Sequence, residues 1–253
     1  MDGTITFWLL FGLLVALTLL AVTYVLPEMI KRVQKSDLAS RCKGKLAVTY
    51  DDGPDPKLTP ELVELLEHHG AKASFFLLGF RAERSPSMSD LLKDSGQLLG
   101  CHTNMHRNAW RVWPWQAMKD VNDGYRRMTR WMPNDASFRP PFGKLTGWTW
   151  LVTIKRRAQI SWWTCDGGDT RETLPDPSSV VRQVADAGGG VVLMHSHDRG
   201  QDRHDYVLKL TDLLLTEAKR QGWQVCTMAE LLGASSSVGS SSVSKGVLDA
   251  RKV

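Results

Sequence analysis

Apolar positions along the chain fall into three regimes. From Ile5 to Leu26 the run carries no charge and no proline, and Pro27 and Glu28 close it. At about 1.5 Å per residue, a helix of this length covers the roughly 30 Å hydrocarbon core of a bilayer. From Lys45 to Gly233, short apolar runs alternate with stretches in which apolar residues recur at helical spacing. From Ala234 onward the sequence is rich in Ser, Gly and Val without periodicity, the pattern of a disordered tail. The expected organisation is therefore an N-terminal end (1–4), a transmembrane helix (5–26), a basic juxtamembrane linker (27–44), one folded domain (45–233) and a tail (234–253).

Within the domain, Leu46 to Tyr50 reads as a buried strand. Thr59-Pro60 reads as an N-cap followed by proline in the first helical turn, and Gly70 closes that helix. Ala73 to Leu78 is the next strand. Met118, Val121, Tyr125, Met128 and Met132 place a long amphipathic helix after Pro114. Ile160 to Trp163 and Val191 to Met194 read as further strands. Asp205 to Arg220 reads as a helix stopped by Gly222, and Thr227 to Glu230 as a capping box before a short last helix. Strands separated by helices imply an α/β domain with a parallel sheet, open or closed into a barrel. In either form, active sites gather at the C-terminal strand ends.

Charge changes this picture little. Lys+Arg 32 against Asp+Glu 27 gives +5, and no long basic run or nucleic-acid-binding motif accompanies it, so no nucleic-acid partner is expected. Lys31, Arg32, Lys35, Arg41, Lys43 and Lys45 all follow the apolar run and none precedes it. This asymmetry favours a cytoplasmic domain. It also argues against a cleaved signal peptide, which needs a basic residue ahead of its apolar run. The four cysteines, Cys42, Cys101, Cys165 and Cys226, are scattered and form no CxxC pair, so neither a disulfide framework nor a structural zinc site is expected.

Polar clusters sit at or just past the strand ends. Asp51-Asp52-Gly53-Pro54 offers two adjacent carboxylates that need a cation or an arginine nearby; a plain turn is the alternative. His102 and His106 meet on one face if their segment is helical or tightly turned. With a carboxylate they form a two-His, one-Asp set that leaves coordination positions open, as catalytic sites do. Arg139 in Arg-Pro-Pro-Phe-Gly is either a rigid carboxylate clamp or a solvated loop residue. His195 is either a proton donor or a core histidine. Asp166-Gly167-Gly168-Asp169 either orients Arg139 or His195 or is a glycine turn. Trp110, Trp113 and Trp115 suit sugar stacking, core capping or a bilayer interface.

Taken in order, these clusters resemble the polysaccharide deacetylases of the NodB-homology type, from about Lys45 to Leu232. The matching segments are TYDDGP (Thr49 to Pro54), FFLLG (Phe75 to Gly79), HTNMH (His102 to His106), RPPFG (Arg139 to Gly143), DGGD (Asp166 to Asp169) and LMH (Leu193 to His195). The resemblance implies a distorted (β/α) barrel, preceded in this chain by one transmembrane helix. It also implies a hydrolase that removes the acetyl group from an N-acetylated amino sugar. One divalent metal, zinc with cobalt or nickel as alternatives, would be bound by Asp52, His102 and His106. Asp51 would be the general base, Arg139 its clamp, and His195 the general acid. The backbone N–H near Phe142 would complete the oxyanion hole, and Leu193 would line the acetyl pocket.

Two departures stand out. Thr170 replaces the tryptophan that follows Asp169 in the family, which puts the packing around that carboxylate in question. Cys101 replaces a common asparagine, and strand alternation turns its side chain away from the metal. The partners expected are an N-acetylated glycan or a lipid-linked amino sugar, together with the membrane. Family habit places the domain outside the cell, whereas the flanking charges favour the inside. The reading of another class is an inactive, membrane-tethered carbohydrate-binding module.

Overall fold

The computed structural model describes residues 3–233; the expected tail, 234–253, lies outside the described residues. Helix α1 (Gly3–Leu20), a π-helical turn (Ala21–Val25) and α2 (Leu26–Arg41) run as one continuous helix. It is long and apolar enough over its first part to cross a membrane, and no α1 residue is buried.

The helix does not end at Pro27, and the expected linker is helical as far as Arg41. Proline removes a donor and its ring crowds the preceding turn. The wider π turn just before it accommodates both effects. The helix continues because one face of α2 is docked. Pro27 and Leu38 are buried, and Gln34 Oε1 accepts a hydrogen bond from Trp162 Nε1 at 2.8 Å.

The domain then runs β1 (Lys45–Asp51), α3 (Leu58–His68), β2 (Ser74–Leu77), α4 (Gly79–Arg84), α5 (Pro86–Asp94), β3 (Leu98–Cys101), α6 (Pro114–Arg127), α7 (Gly147–Arg156), β4 (Cys165–Asp166), α8 (Pro177–Asp186), β5 (Gly190–His195), α9 (Gln201–Gln221), β6 (Gln224–Val225) and α10 (Met228–Leu232). All strand pairs are parallel, in the order β3-β2-β1-β5-β4, with β6 pairing to the start of β1. Past β3 the sheet is carried on by single bridges, Cys101 to Phe138 and Phe138 to Ile160, so it bends round towards β4 as an irregular barrel.

Leu46 to Tyr50 is buried throughout, as a central parallel strand covered on both faces must be. Tyr50 faces outward, stacks on Phe75 and pairs its hydroxyl with Thr211 of α9 at 2.7 Å. Thr49 and Asp51, on the opposite face, point at the buried Arg139. The register sets Thr49 beside Leu193 and Asp51 beside His195, so two strand ends present their functional groups side by side.

Two local expectations are corrected. Lys57, rather than Thr59, precedes the first turn of α3. The capping acceptor is Asp55, whose carboxylate takes the N–H groups of Lys57 and Leu58. The stretch Ile160 to Trp163 forms only the bridge at Ile160, and the strand lies at Cys165–Asp166. The carbonyls of Ser161 and Trp162 accept from the Arg139 guanidinium instead of entering a ladder.

Candidate active site

Backbone strain marks the site before any chemistry is assigned. Among the described residues, five non-glycine residues have positive φ. Four of them are Asp52 (68°), Thr103 (68°), His106 (57°) and Phe142 (57°), all from the sequence clusters that carry polar chemistry. Such conformations are costly for side-chain-bearing residues and concentrate at functional sites.

The histidine segment is a tight turn rather than a helix, held from below by α6. The Asp120 carboxylate accepts the N–H groups of Met105 and Arg107, and its carbonyl accepts Asn104 N–H. Gly124 lets α6 approach: a Cβ there would lie 2.6 Å from the Thr103 carbonyl carbon. Gly124→Ala is therefore expected to push the turn outward. The cost is about 1–3 kcal/mol of stability, as for other overpacked sites. Metal affinity should fall with it; denaturant unfolding and metal competition on the same sample check both.

His102 is almost wholly buried. Its Nδ1–H donates to Arg139 O at 2.7 Å, which leaves the Nε2 lone pair facing Asp52 Oδ1 at 3.5 Å. Burial pushes this imidazole down to about 3, so it is neutral. His106 Nε2 lies 3.3 Å from the same oxygen, and the three potential ligand atoms are all within 4.8 Å of one another. Asp52 Oδ1 is buried and has no hydrogen-bond partner. An unpaired carboxylate oxygen facing ring nitrogens is the arrangement a cation resolves. The spacing also fits, since two ligands at 2.0–2.1 Å from a tetrahedral ion lie roughly 3.3 Å apart. Asp52, His102 and His106 thus suit a divalent metal in number, chemistry and separation.

Beside this cluster, Arg139 is fully buried. It donates to Asp51 Oδ1 and Thr49 Oγ1, both at 2.8 Å, and lies over the Phe76 ring at 4.0 Å. Burial raises the Asp51 carboxyl above its ordinary value, and the Arg139 charge opposes the rise. Its other oxygen, Oδ2, faces His102 Nε2 at 3.7 Å. On the far side, Asp169 is buried, accepts His195 N–H at 3.0 Å and holds His195 Nδ1 at 3.1 Å. Burial alone would lower the His195 imidazole, but the Asp169 carboxylate outweighs it and lifts it to about 9. Asp166 instead accepts Gly168 N–H, so the Asp-Gly-Gly-Asp segment is both a turn and an orienting carboxylate.

These groups open into one cleft of ≈ 500 Å³, lined by Asp51, Asp52, His102, His106, Phe142, Leu193 and His195. Arg139 and Asp169 stand behind it. The exposed Phe142 ring sits 4.5 Å from His106 at the cleft lip. Thr170 lines the cleft, and its lack of an indole leaves Asp169 buried and bonded to His195. Cys101 is buried in the core, away from the cleft. All four cysteines are free.

Sequence reasoning missed Trp163, Arg199 and His197, which also line the cleft. His197 Nδ1 is 3.6 Å from Asp52 Oδ2, on the side away from the two ligand imidazoles. No periodicity marks it in the sequence: β5 ends at His195, so strand alternation does not reach His197.

The polysaccharide deacetylase family profile matches residues 39–159. A peptidoglycan-N-acetylglucosamine deacetylase of Bacillus cereus is 32% identical over 189 residues, which are 74% of this chain and 87% of that one. A chitooligosaccharide deacetylase of a Bradyrhizobium species is 24% identical over 73% of this chain and 89% of its own. The crystal structure of the Bc1960 peptidoglycan N-acetylglucosamine deacetylase, in complex with an N-oxidanyl-benzamide, superposes with TM-score 0.66 at 26% identity. It covers 75% of this chain and 88% of that structure. Fold and site define a carbohydrate deacetylase, a hydrolase of N-acetyl groups. The chain belongs to the polysaccharide deacetylase family.

Proposed function

We propose that this protein hydrolyses the acetamide of an N-acetylated amino sugar with one divalent metal held by Asp52, His102 and His106. The observation that carries the reading is the unpartnered Asp52 Oδ1, faced by two imidazole nitrogens between an arginine-held and an aspartate-held acid–base pair. Zinc is the simplest occupant, with cobalt and nickel as alternatives. When bound, such an ion polarises oxygen ligands and lowers the pKa of water to about 7.

The chain's own groups do the rest. Asp51, fixed through Oδ1 by Arg139, keeps Oδ2 free to take the proton of the attacking water. The Phe142 N–H stabilises the oxyanion as the acyl carbon becomes tetrahedral. Leu193 lines the space for the acetyl methyl group. His195, protonated and aimed by Asp169, gives a proton to the departing amine, which cannot leave as an anion. Acetate release from chitooligosaccharides, peptidoglycan and lipid-linked amino sugars, with metal supplied, tests the reading. Release from none of them overturns it and leaves the binding-module alternative. A lipid-linked substrate is the second reading. It is favoured by the tie between the N-terminal helix and the cleft lip, where Lys31 Nζ donates to Gly143 O at 3.0 Å.

The Asp169–His195 pair predicts a pH effect with a definite sign. A proton donor held up at about 9 stays charged until the pH rises through that value. With Asp169→Asn the largest lifting influence is gone and only the weaker Asp51 and Asp52 charges still oppose burial, so the alkaline limb of kcat/KM is expected to move to lower pH. A bound cation adds the same charge to both proteins, so the difference between their profiles is the readout. Superimposable alkaline limbs would remove Asp169 from this role.

A further inference from the structure

The N-terminal helix is fastened to the domain well before its apolar run ends. Counting from Ile5, a helix reaches the far side of a ~30 Å hydrocarbon layer after roughly 20 residues, near Tyr24. The domain already touches the helix at that level. Gly147, the first residue of α7, packs so close that a Cβ would lie 2.6 Å from Val22 O. The Tyr24 ring meets Trp110 edge-on at 5.7 Å. Trp110 Nε1 in turn donates to Leu145 O, which ties its loop to the segment leading into α7.

Around this junction the surface is apolar and aromatic. Trp148 and Leu151 are exposed three residues apart in the first turns of α7. Trp113 and Trp115, just beyond Trp110, stack on each other at 5.1 Å and are each more than 60% exposed (64% and 61%). Cations accompany them: Lys144 Nζ lies 4.3 Å from the Trp110 ring centroid, and Arg107 and Arg111 are exposed nearby. Aromatic rings with basic residues at the depth of a span's end suit the headgroup region of an anionic bilayer.

We propose that this rim, centred on Trp113, Trp115, Trp148 and Leu151, is a docking face for the surface of an anionic phospholipid bilayer. The inference rests on reading Ile5 to Leu26 as a membrane span. The face is continuous with that span, and this continuity selects lipid over a glycan or a second copy of the chain as its occupant. It fixes more than the domain's distance from the membrane. Lys31 and Gln34 of α2 hold Gly143 and Trp162, and Lys35 Nζ lies 5.2 Å from the Trp163 ring. Gly143 follows Phe142, and Trp163 lines the cleft. The lip of the cleft is thereby tied to the membrane helix, and the site favours amino sugars presented at the bilayer surface over freely diffusing ones.

The test uses the full chain in nanodiscs of phosphatidylglycerol brominated near the headgroup end of its acyl chains. Total tryptophan emission is compared between wild type and Trp113→Phe/Trp115→Phe/Trp148→Phe, which keeps the apolar face and removes three of the ten emitters. If these three touch lipid, removing them lowers the fraction of emission that bromine quenches. If they stand in water, removing unquenched emitters raises that fraction. A fall is expected; an unchanged or higher fraction overturns the rim. A chain that does not co-elute with the nanodiscs overturns span and rim together. The readout needs no turnover, so loss of the deacetylase reading would appear separately, as absence of acetate release.

Discussion

Asp51→Asn is expected to keep its metal and lose roughly 10²–10⁴-fold in kcat, the range general acid–base groups contribute. The substitution preserves the shape of the side chain and removes its capacity to accept a proton. Its cost in stability must be separated from its cost in chemistry. Arg139 is fully buried, and removing one partner of a buried ion pair costs about 3–5 kcal/mol. Arg139 still has Thr49 Oγ1 and the Ser161 carbonyl as acceptors, so the variant is expected to fold with a lowered denaturation midpoint. Acetate release, bound metal and unfolding measured on one preparation distinguish the two effects. Turnover close to wild type would exclude Asp51 as the base.

His102→Ala acts on the metal. It removes one of three ligand atoms, together with the Nδ1–H bond to Arg139 O that orients the ring. Losing only an outer partner of a metal ligand costs about 10–100-fold in affinity. Losing the ligand itself should therefore cost more than about 100-fold, and the dialysed variant should be essentially metal-free. Competition against a chromogenic chelator measures this directly. Undiminished metal content in the variant would remove His102 from the site.

Much of the site was legible because its residues are punctuated by elements the sequence itself announces. Asp51 and Asp52 follow an uninterrupted buried strand, His195 closes another, and Arg139 is fixed by the prolines that follow it. The resemblance to a family then assigned each residue an expected role. What stayed hidden depends on partners distant in sequence. Pro27 reads as a stop unless Leu38 and Gln34 are seen docked against the domain. Ser161 and Trp162 read as strand until their carbonyls are found on Arg139. Asp120 looks like an ordinary helix residue, yet it shapes the turn that presents both histidines. His197 lies in a polar Ser-His-Asp-Arg stretch with no periodicity to mark it, and only the fold brings it within 3.6 Å of Asp52.

The helix also changes how the domain boundary is understood. A span joined by a flexible linker would let the catalytic domain sample many orientations. Here α2 is continuous with α1, buries Leu38 and bonds to the segment beside Phe142, so the apolar helix and the cleft are set in one frame.

The account depends most on an ion seated among Asp52, His102 and His106. Anomalous diffraction from crystals of the zinc-loaded chain, recorded on both sides of the zinc absorption edge, tests it most directly. One peak should lie about 2.0–2.2 Å from Asp52 Oδ1 and from the Nε2 atoms of both histidines. A map with no peak between these three side chains, or with zinc bound only elsewhere, would contradict it.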